Sequence, residues 1–513
     1  MFTSILFPSE ITTQEDGNHE EPSGFKDLNL DQVFDHLFDR NKEYSLNRYF
    51  YTPLKDYASV NYRQEVFKDL DQAENKEVFE AFFSEIYWLS KYQEKIEAIL
   101  KKPDDFENNY LAKGRMLDYA DRYGQAVSKL QKEAKKLTLN SEGLKEFINY
   151  LNEYTSTDNF INLEKQIAKL RNELAEVYYC MLISGGKIKV RKYNNEEDYS
   201  VEILRSFAKF RQGEVKDYRH RFSEDPYAEH VEAMVLDLVS KLYPEIFKDL
   251  VLFCKNNQGF FDPKIIRFNR EIPFYFSWQQ FIEPLQQQGL SFTYPTMKEE
   301  LKDNYDLNGF DLALALSIGN QIVTNDWELK DPERFLVVSG PNQGGKTTFA
   351  RYFGQVNYLA SLGLSVPGTK AQLSLCDNVY THFSKEEDLN SLNGKLQDDL
   401  IRLKDLLSKV TPNSVIVINE IFASTTLEDA LSLGKMMMEK LSNSHTKGVI
   451  VTFLDELATY SEMTVSMMSL MDADQNKRTY KVKRKEPDGL AYALSLAQKY
   501  GLTYQQIVER LKK

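Results

Sequence analysis

Gly340, Gly345, Lys346 and Thr347 stand at the spacing of a phosphate-binding loop, within Gly340-Pro341-Asn342-Gln343-Gly344-Gly345-Lys346-Thr347-Thr348. In such a loop successive backbone N–H groups converge on a polyphosphate, and only glycine lets the main chain approach that closely. Lys346 would neutralise the β- and γ-phosphates of ATP, and the Thr347 hydroxyl would hold Mg²⁺. Farther along, Ser414–Glu420 (SVIVINE) is an apolar strand pattern that ends in Asn419 and Glu420. A carboxylate at the end of such a strand can orient and deprotonate an attacking water, which makes Glu420 the candidate general base for hydrolysis.

The elements that must position these groups are legible around them. Phe335–Ser339 predicts a strand running into the loop, and Thr347–Leu362 predicts a helix whose N-terminus meets the phosphates. Short β-branched runs (Ile322-Val323-Thr324, Phe335–Val338, Val415–Ile418, Val449–Thr452) alternate with helical stretches, the pattern of a parallel sheet covered by helices. That texture begins near Gln286. Ahead of it the chain is helical and rich in Tyr and Phe. Phe25–Arg40 carries Leu28, Leu30, Val33, Phe34 and Leu37 at the spacing of one amphipathic helix, and the run after Asp56 resumes that periodicity through Val60, Arg63 and Val66. Pro103-Asp104-Asp105 interrupts the next helical stretch, and Met116, Tyr119, Tyr123, Val127 and Leu130 then share one face.

Within Asn159–Ile183, Leu163, Ile167, Leu170, Leu174, Val177 and Met181 alternate four- and three-residue steps, which predicts a long helix. Its spacing suits a strut packed along another helix and an ordinary core helix equally. Gly185-Gly186 ends it, and Lys187–Tyr193 alternates like a half-exposed strand bearing four cations, either a solvated hairpin edge or a phosphate-contacting loop. The predicted organisation is a flexible arm over residues 1–26, a helical core and lever over 27–285, and an α/β nucleotide-binding domain over 286–513.

Composition limits the alternatives. With 513 residues, 42% of them hydrophobic and 27% charged, the chain has material for more than one core, and no run of apolar residues is long enough to cross a bilayer. The first 25 residues hold no Lys or Arg, so the basic start of a secretory signal is missing. Three cysteines (Cys180, Cys254, Cys376) and six histidines are scattered, which suggests buried thiols in a reducing, cytoplasmic setting and no metal other than the Mg²⁺ of a nucleotide. A net charge of -13 argues against a surface that grips nucleic acid all over, while leaving room for a local basic groove.

Gly340–Thr348 (GPNQGGKTT), with its Asn after Pro, resembles the phosphate loop of the MutS mismatch-repair ATPases. Leu359–Pro367 (LASLGLSVP) continues the likeness, Tyr480–Leu502 is similar to the family's closing strand, glycine turn and helix, and Tyr51–Val66 to the segment that opens its helical core. The resemblance implies an α + α/β architecture, in which a helical core and lever precede an ABC-type, MutS-like P-loop ATPase domain with a mostly parallel sheet. It further implies ATP and Mg²⁺ as ligands, a homodimer through the ATPase domains with each nucleotide site completed by the partner, and DNA as a partner.

The departures from the family pattern are also specific. No counterpart of the mismatch-reading and connector domains precedes the core, and Phe83-Ser84-Glu85 and Phe222-Ser223-Glu224 resemble the mismatch-reading tripeptide only by chance. Asn419 stands where the family has the Asp that supports Mg²⁺, Phe453 where it has a γ-phosphate-sensing His, and Ser391 and Asp399 fall near its partner-contacting Ser and Glu. Two functions follow as expectations. One is an ATP-dependent ATPase on double-stranded or branched DNA, in mismatch repair or recombination. The other is a nucleotide-gated structural protein with weak or no hydrolysis and little DNA contact.

Overall fold

The computed structural model describes residues 2–8, 20–100, 109–185, 187–196, 226–298, 303–384, 394–422, 424–471, 478–487 and 503–511. The chain divides into two compact units that interleave in sequence, one comprising Met1–Phe2, Gln72–Leu139 and Lys145–Asn269, the other Thr3–Asp71, Asn140–Leu144 and Arg270–Lys513.

In the first unit the helices Ala73–Leu100 and Tyr110–Ala134 run along each other. Met116, Leu117 and Ala120 of the second pack with Leu163, Ile167 and Leu170 of the helix Asp158–Ala175 and with Phe247, Leu250 and Phe253 of the helix Pro244–Asn256. Asp158–Ala175 is therefore a core helix, capped by Thr157 Oγ1, which accepts from the Phe160 N–H at 3.3 Å. It stops well short of the predicted Ile183. Tyr179–Ser184 instead forms strand β1, paired antiparallel with β2 (Lys187–Lys192) from Tyr179↔Lys192 to Ser184↔Lys187. The heptad pattern runs on to Met181, but the ladder with β2 satisfies that backbone and overrides the periodicity. Gly185, at φ 57°, begins the turn. Lys187, Lys189 and Arg191 are exposed along β2, whereas Ile188 and Val190 pack on the helical core.

The second unit holds the sheets. Its strands are β3 (Phe292–Thr293), β4 (Thr296–Met297), β5 (Asn304–Gly309), β6 (Asn325–Leu329), β7 (Phe335–Ser339), β8 (Val366–Pro367), β9 (Lys370–Leu373), β10 (Val379–Phe383), β11 (Val415–Asn419), β12 (Lys447–Val451), β13 (Thr464–Met471) and β14 (Arg478–Arg484). Six of them form one sheet in the order β10-β11-β12-β7-β13-β14, parallel except for β14, and β4-β9-β5-β6 form a smaller one. Every residue of β7, β11 and β12 is buried, as expected of parallel strands covered on both faces. Phe335, Val337, Ile416, Ile418 and Ile450 meet Leu403, Leu406, Met437, Met438 and Leu441 of the helices Lys395–Lys409 and Leu427–Asn443. The helix Lys346–Ser361 lies against β11 and β12 as well. Ile322–Thr324, predicted as a strand, lies just ahead of β6.

The N-terminus departs from expectation. Phe2, Ser4, Ile5, Leu6 and Phe7 are buried, although a flexible arm is predicted there. The Ser4 hydroxyl and the Ile5 N–H both donate to Glu271 Oε2 at 2.9 Å, and Tyr62 Oη donates to the Ser4 carbonyl at 2.7 Å. Arg63, itself 1% exposed, donates to the Leu6 carbonyl at 3.1 Å and to the Leu362 carbonyl at 3.0 Å. Apolar Phe2, Ile5, Leu6 and Phe7 drive this burial, and polar partners take up the backbone groups it desolvates. Phe25–Arg40 is broken at Asn29, whose φ of 54° separates the helices Phe25–Leu28 and Leu30–Arg40. Residues 9–19, the Phe222-Ser223-Glu224 tripeptide and the closing helix expected within 488–502 lie outside the described residues. Among the described residues no helix is long and apolar enough to cross a membrane.

Candidate nucleotide site

Strand β7 delivers its chain to Gly340, whose φ of 113° is a conformation that suits glycine. A Cβ there would lie 3.0 Å from the Ser469 carbonyl oxygen of β13, and one at Gly344 would lie 2.2 Å from Ser469 Oγ. The loop is thus pressed onto β13, and the Ser469 hydroxyl donates to the Gly344 carbonyl at 2.6 Å. Gln343 sits in the left-handed region at φ 59°, a strained position for a residue with a side chain. Gly345, at φ 91°, is the N-cap of the helix Lys346–Ser361, so the first helical N–H groups open toward the loop.

Lys346 is 7% exposed, and its ammonium donates to the Gly340 carbonyl at 2.8 Å, the Pro341 carbonyl at 3.1 Å and Asn342 Oδ1 at 3.2 Å. Burial lowers its pKa from the ordinary lysine value, and Arg478 adds to that effect while Glu420 opposes it. Thr347 Oγ1 donates to Asn419 Oδ1 at 3.1 Å. That contact joins the loop to the end of β11, and the parallel β11–β12–β7 ladder holds the two strand ends at the same edge of the sheet, one strand apart. Glu420 follows with φ 55°, its N–H donating to the Val451 carbonyl at 3.0 Å and its side chain exposed.

A cavity of about 460 Å³ opens over these groups, with Gln343, Gly345, Lys346, Thr347, Thr348 and Glu420 on one side. Leu314, Ile318, Ile322 and Val323 give it an apolar wall, completed by Asn325 and Tyr480. Pro341 is buried and Asn342 exposed within the loop. The structure therefore brings the loop, Thr347, Asn419 and Glu420 together. The apolar wall escaped sequence reasoning because it comes from segments well ahead of the loop. The Ile322-Val323 run was its one visible trace.

The other predicted positions fall elsewhere. Phe453 follows β12 and is 52% exposed. Ser391 lies outside the described residues. Asp399, expected to face a partner, is instead 3% exposed, takes a hydrogen bond from Arg402 at 2.6 Å and lies 3.6 Å from His382 Nε2. Its charge is compensated within the chain, which explains why it is turned inward. Among the described residues no group of three or more His, Cys, Asp or Glu side chains is arranged to hold a metal ion. The Thr347 and Asn419 oxygens are neutral, hard donors that fit Mg²⁺ when phosphate oxygens supply the negative charge.

The site is thus a glycine loop between a parallel strand and a helix, facing the end of a second parallel strand. Comparison with known families matches residues 336–512, the part of the chain that holds the loop, β11 and the six-stranded sheet, to MutS domain V. The chain is 29% identical over 191 residues, 37% of its length, to Endonuclease MutS2 of Thermus thermophilus, of which the match covers 25%. It is 30% identical over 205 residues, 39% of its length, to Endonuclease MutS2 of Gemmatimonas aurantiaca, again covering 25% of that relative. With the DNA mismatch repair protein MutS of Syntrophomonas wolfei the identity is 28% over 194 residues, 37% of this chain and 23% of the relative. The chain spans about a quarter of the length of these curated relatives.

Proposed function

We propose that the chain is a MutS-like ATP-binding protein, an ATPase whose nucleotide state controls contact with double-stranded or branched DNA in mismatch repair or recombination. The observation that carries this reading is the 3.1 Å contact between Thr347 and Asn419, which brings the loop and the strand end bearing Glu420 to one cavity. In this reading Gly340–Thr348 wraps the polyphosphate, Lys346 leaves its loop carbonyls for the phosphates, and the apolar wall receives the base. Thr347 and Asn419 would hold Mg²⁺, which when bound screens phosphate charge. Glu420 is exposed to the cavity and is the group able to take a proton from an attacking water.

A second reading is favoured by Asn419 and Phe453, an uncharged amide and a hydrocarbon ring in place of the family's acid and imidazole. In it the chain binds ATP as a structural switch and hydrolyses it slowly or not at all. Lys346→Ala should abolish ATP binding measured by calorimetry, because this ammonium is the buried cation at the loop, and undiminished binding would remove the nucleotide reading. DNA binding with and without ATP, on mismatched, branched and plain duplexes across a salt series, separates the two functions. The first requires affinity that falls steeply with salt as phosphate contacts release counterions.

A further inference from the structure

Arg478 opens β14, opposite Met471 in the β13 ladder, and its guanidinium Nη1 donates to the side-chain oxygen of Gln343. Gln343 is exposed at the strained tip of the loop and lines the cavity. Two residues beyond Arg478, Tyr480 lines the same cavity, and its Cα lies 3.6 Å from where a Cβ at Gly345 would be. The start of β14 is therefore packed along the loop. Among the described residues, the hydrogen bond of Arg478 goes to a neutral amide and not to a carboxylate, so its charge is not cancelled there. An amide oxygen is a weaker partner for a guanidinium than a phosphate oxygen, which accepts two parallel N–H bonds.

We propose that Arg478 is a phosphate-binding residue supplied by the same chain, and that Lys346 and Arg478 together hold the polyphosphate with little dependence on a divalent cation. Asn419 works in the same direction. A carboxylate at that position would repel bare phosphates and attract a metal to bridge the two, whereas the neutral amide does not repel phosphate and draws a metal more weakly. Relative to a site with Asp at that position and no arginine, this one has one negative charge fewer and one positive charge more. The proposal rests on the nucleotide reading above, but it makes a separate claim about Arg478 and the metal.

The test is ATP affinity by calorimetry for the full chain, in Mg²⁺ and in EDTA, with Lys346→Ala, Arg478→Ala and Arg478→Lys beside the parent and melting curves showing that each variant folds. The expected parent dissociation constant changes less than about threefold between the two buffers, while Arg478→Ala loses about tenfold in EDTA and clearly less in Mg²⁺. Arg478→Lys should recover part of the loss, as a point charge without the fork does. If the parent and Arg478→Ala bind equally in EDTA while Lys346→Ala fails, the nucleotide site stands and the role of Arg478 is lost. A parent that binds ATP only with Mg²⁺ overturns the metal-sparing claim. A parent that binds in neither buffer overturns the nucleotide site itself, and this inference with it.

Discussion

In the proposed nucleotide site Asn419 would set how a metal is held, since its amide oxygen meets Thr347 where a carboxylate would add a full charge. Asn419→Asp should lower the Mg²⁺ concentration needed for half-maximal ATPase activity by about tenfold, or raise the rate at limiting Mg²⁺. An unchanged or lower rate over a full Mg²⁺ titration would count against this account. Lys447, at the start of β12, gives a pH test independent of nucleotide. Its ammonium donates to Ser374 Oγ at 2.6 Å, the Ser374 carbonyl at 3.0 Å and Asn304 Oδ1 at 3.3 Å, and burial pushes its pKa down to about 8. The unfolded chain keeps that proton up to about pH 10.4, so between about pH 8 and 10 it binds more protons than the folded chain, and the contribution of Lys447 to stability rises with pH. Relative to Lys447→Met, the parent should gain on the order of 2 kcal/mol across that window in denaturant unfolding, and parallel pH curves for the two proteins would refute the assignment. At this scale the loop, Lys346, Thr347 and Glu420 were legible because their chemistry is encoded by local spacing. Tyr480 and Leu314 were not, because only the fold brings them to the same cavity, and neither was Arg478, which the fold sets against Gln343.

The helix Lys346–Ser361 positions Lys346 and Thr347, and Gly354 permits its close seat. A Cβ at Gly354 would lie 2.6 Å from Leu28 Cδ2 and 3.1 Å from Val417 Cγ2. Gly354→Val should therefore cost about 1–3 kcal/mol through overpacking, visible as a lower melting temperature. Because the same helix carries Thr347 to Asn419, ATP affinity should fall with it, and a variant that melts and binds like the parent would show that the helix has room. The parallel strands were readable from their continuous apolar runs, and the loop–helix junction from its glycines. Over Tyr179–Ile183 the seven-residue rhythm of apolar side chains predicts helix but survives in a strand whose backbone is claimed by a partner. Such partners are invisible to periodicity.

For the whole molecule, the testable expectation is association through the ATPase part. Glu420→Gln keeps a group that can hold water but cannot accept its proton, so with ATP and Mg²⁺ it should accumulate a dimer in sedimentation. A sharp monomer boundary at tens of micromolar protein and saturating ATP would mean that no second copy completes the site. The change of texture near Gln286 was visible in the sequence, but the membership of Thr3–Asp71 in the sheet-bearing unit was not, since residues such as Leu6, Arg63 and Leu362 meet only across most of the chain. That interleaving has a consequence for synthesis on the ribosome. The first unit is built almost entirely from the stretch Gln72–Asn269 and can close once it has emerged. The residues from Thr3 to Asp71 leave the ribosome ahead of that stretch, yet their Glu271, Tyr275 and Leu362 partners come much later, and β7 pairs with β12 and β13, later still. The apolar residues of that segment must therefore wait for those partners while the intervening chain is made, the period in which a chain of high contact order is most exposed to aggregation and most dependent on chaperones.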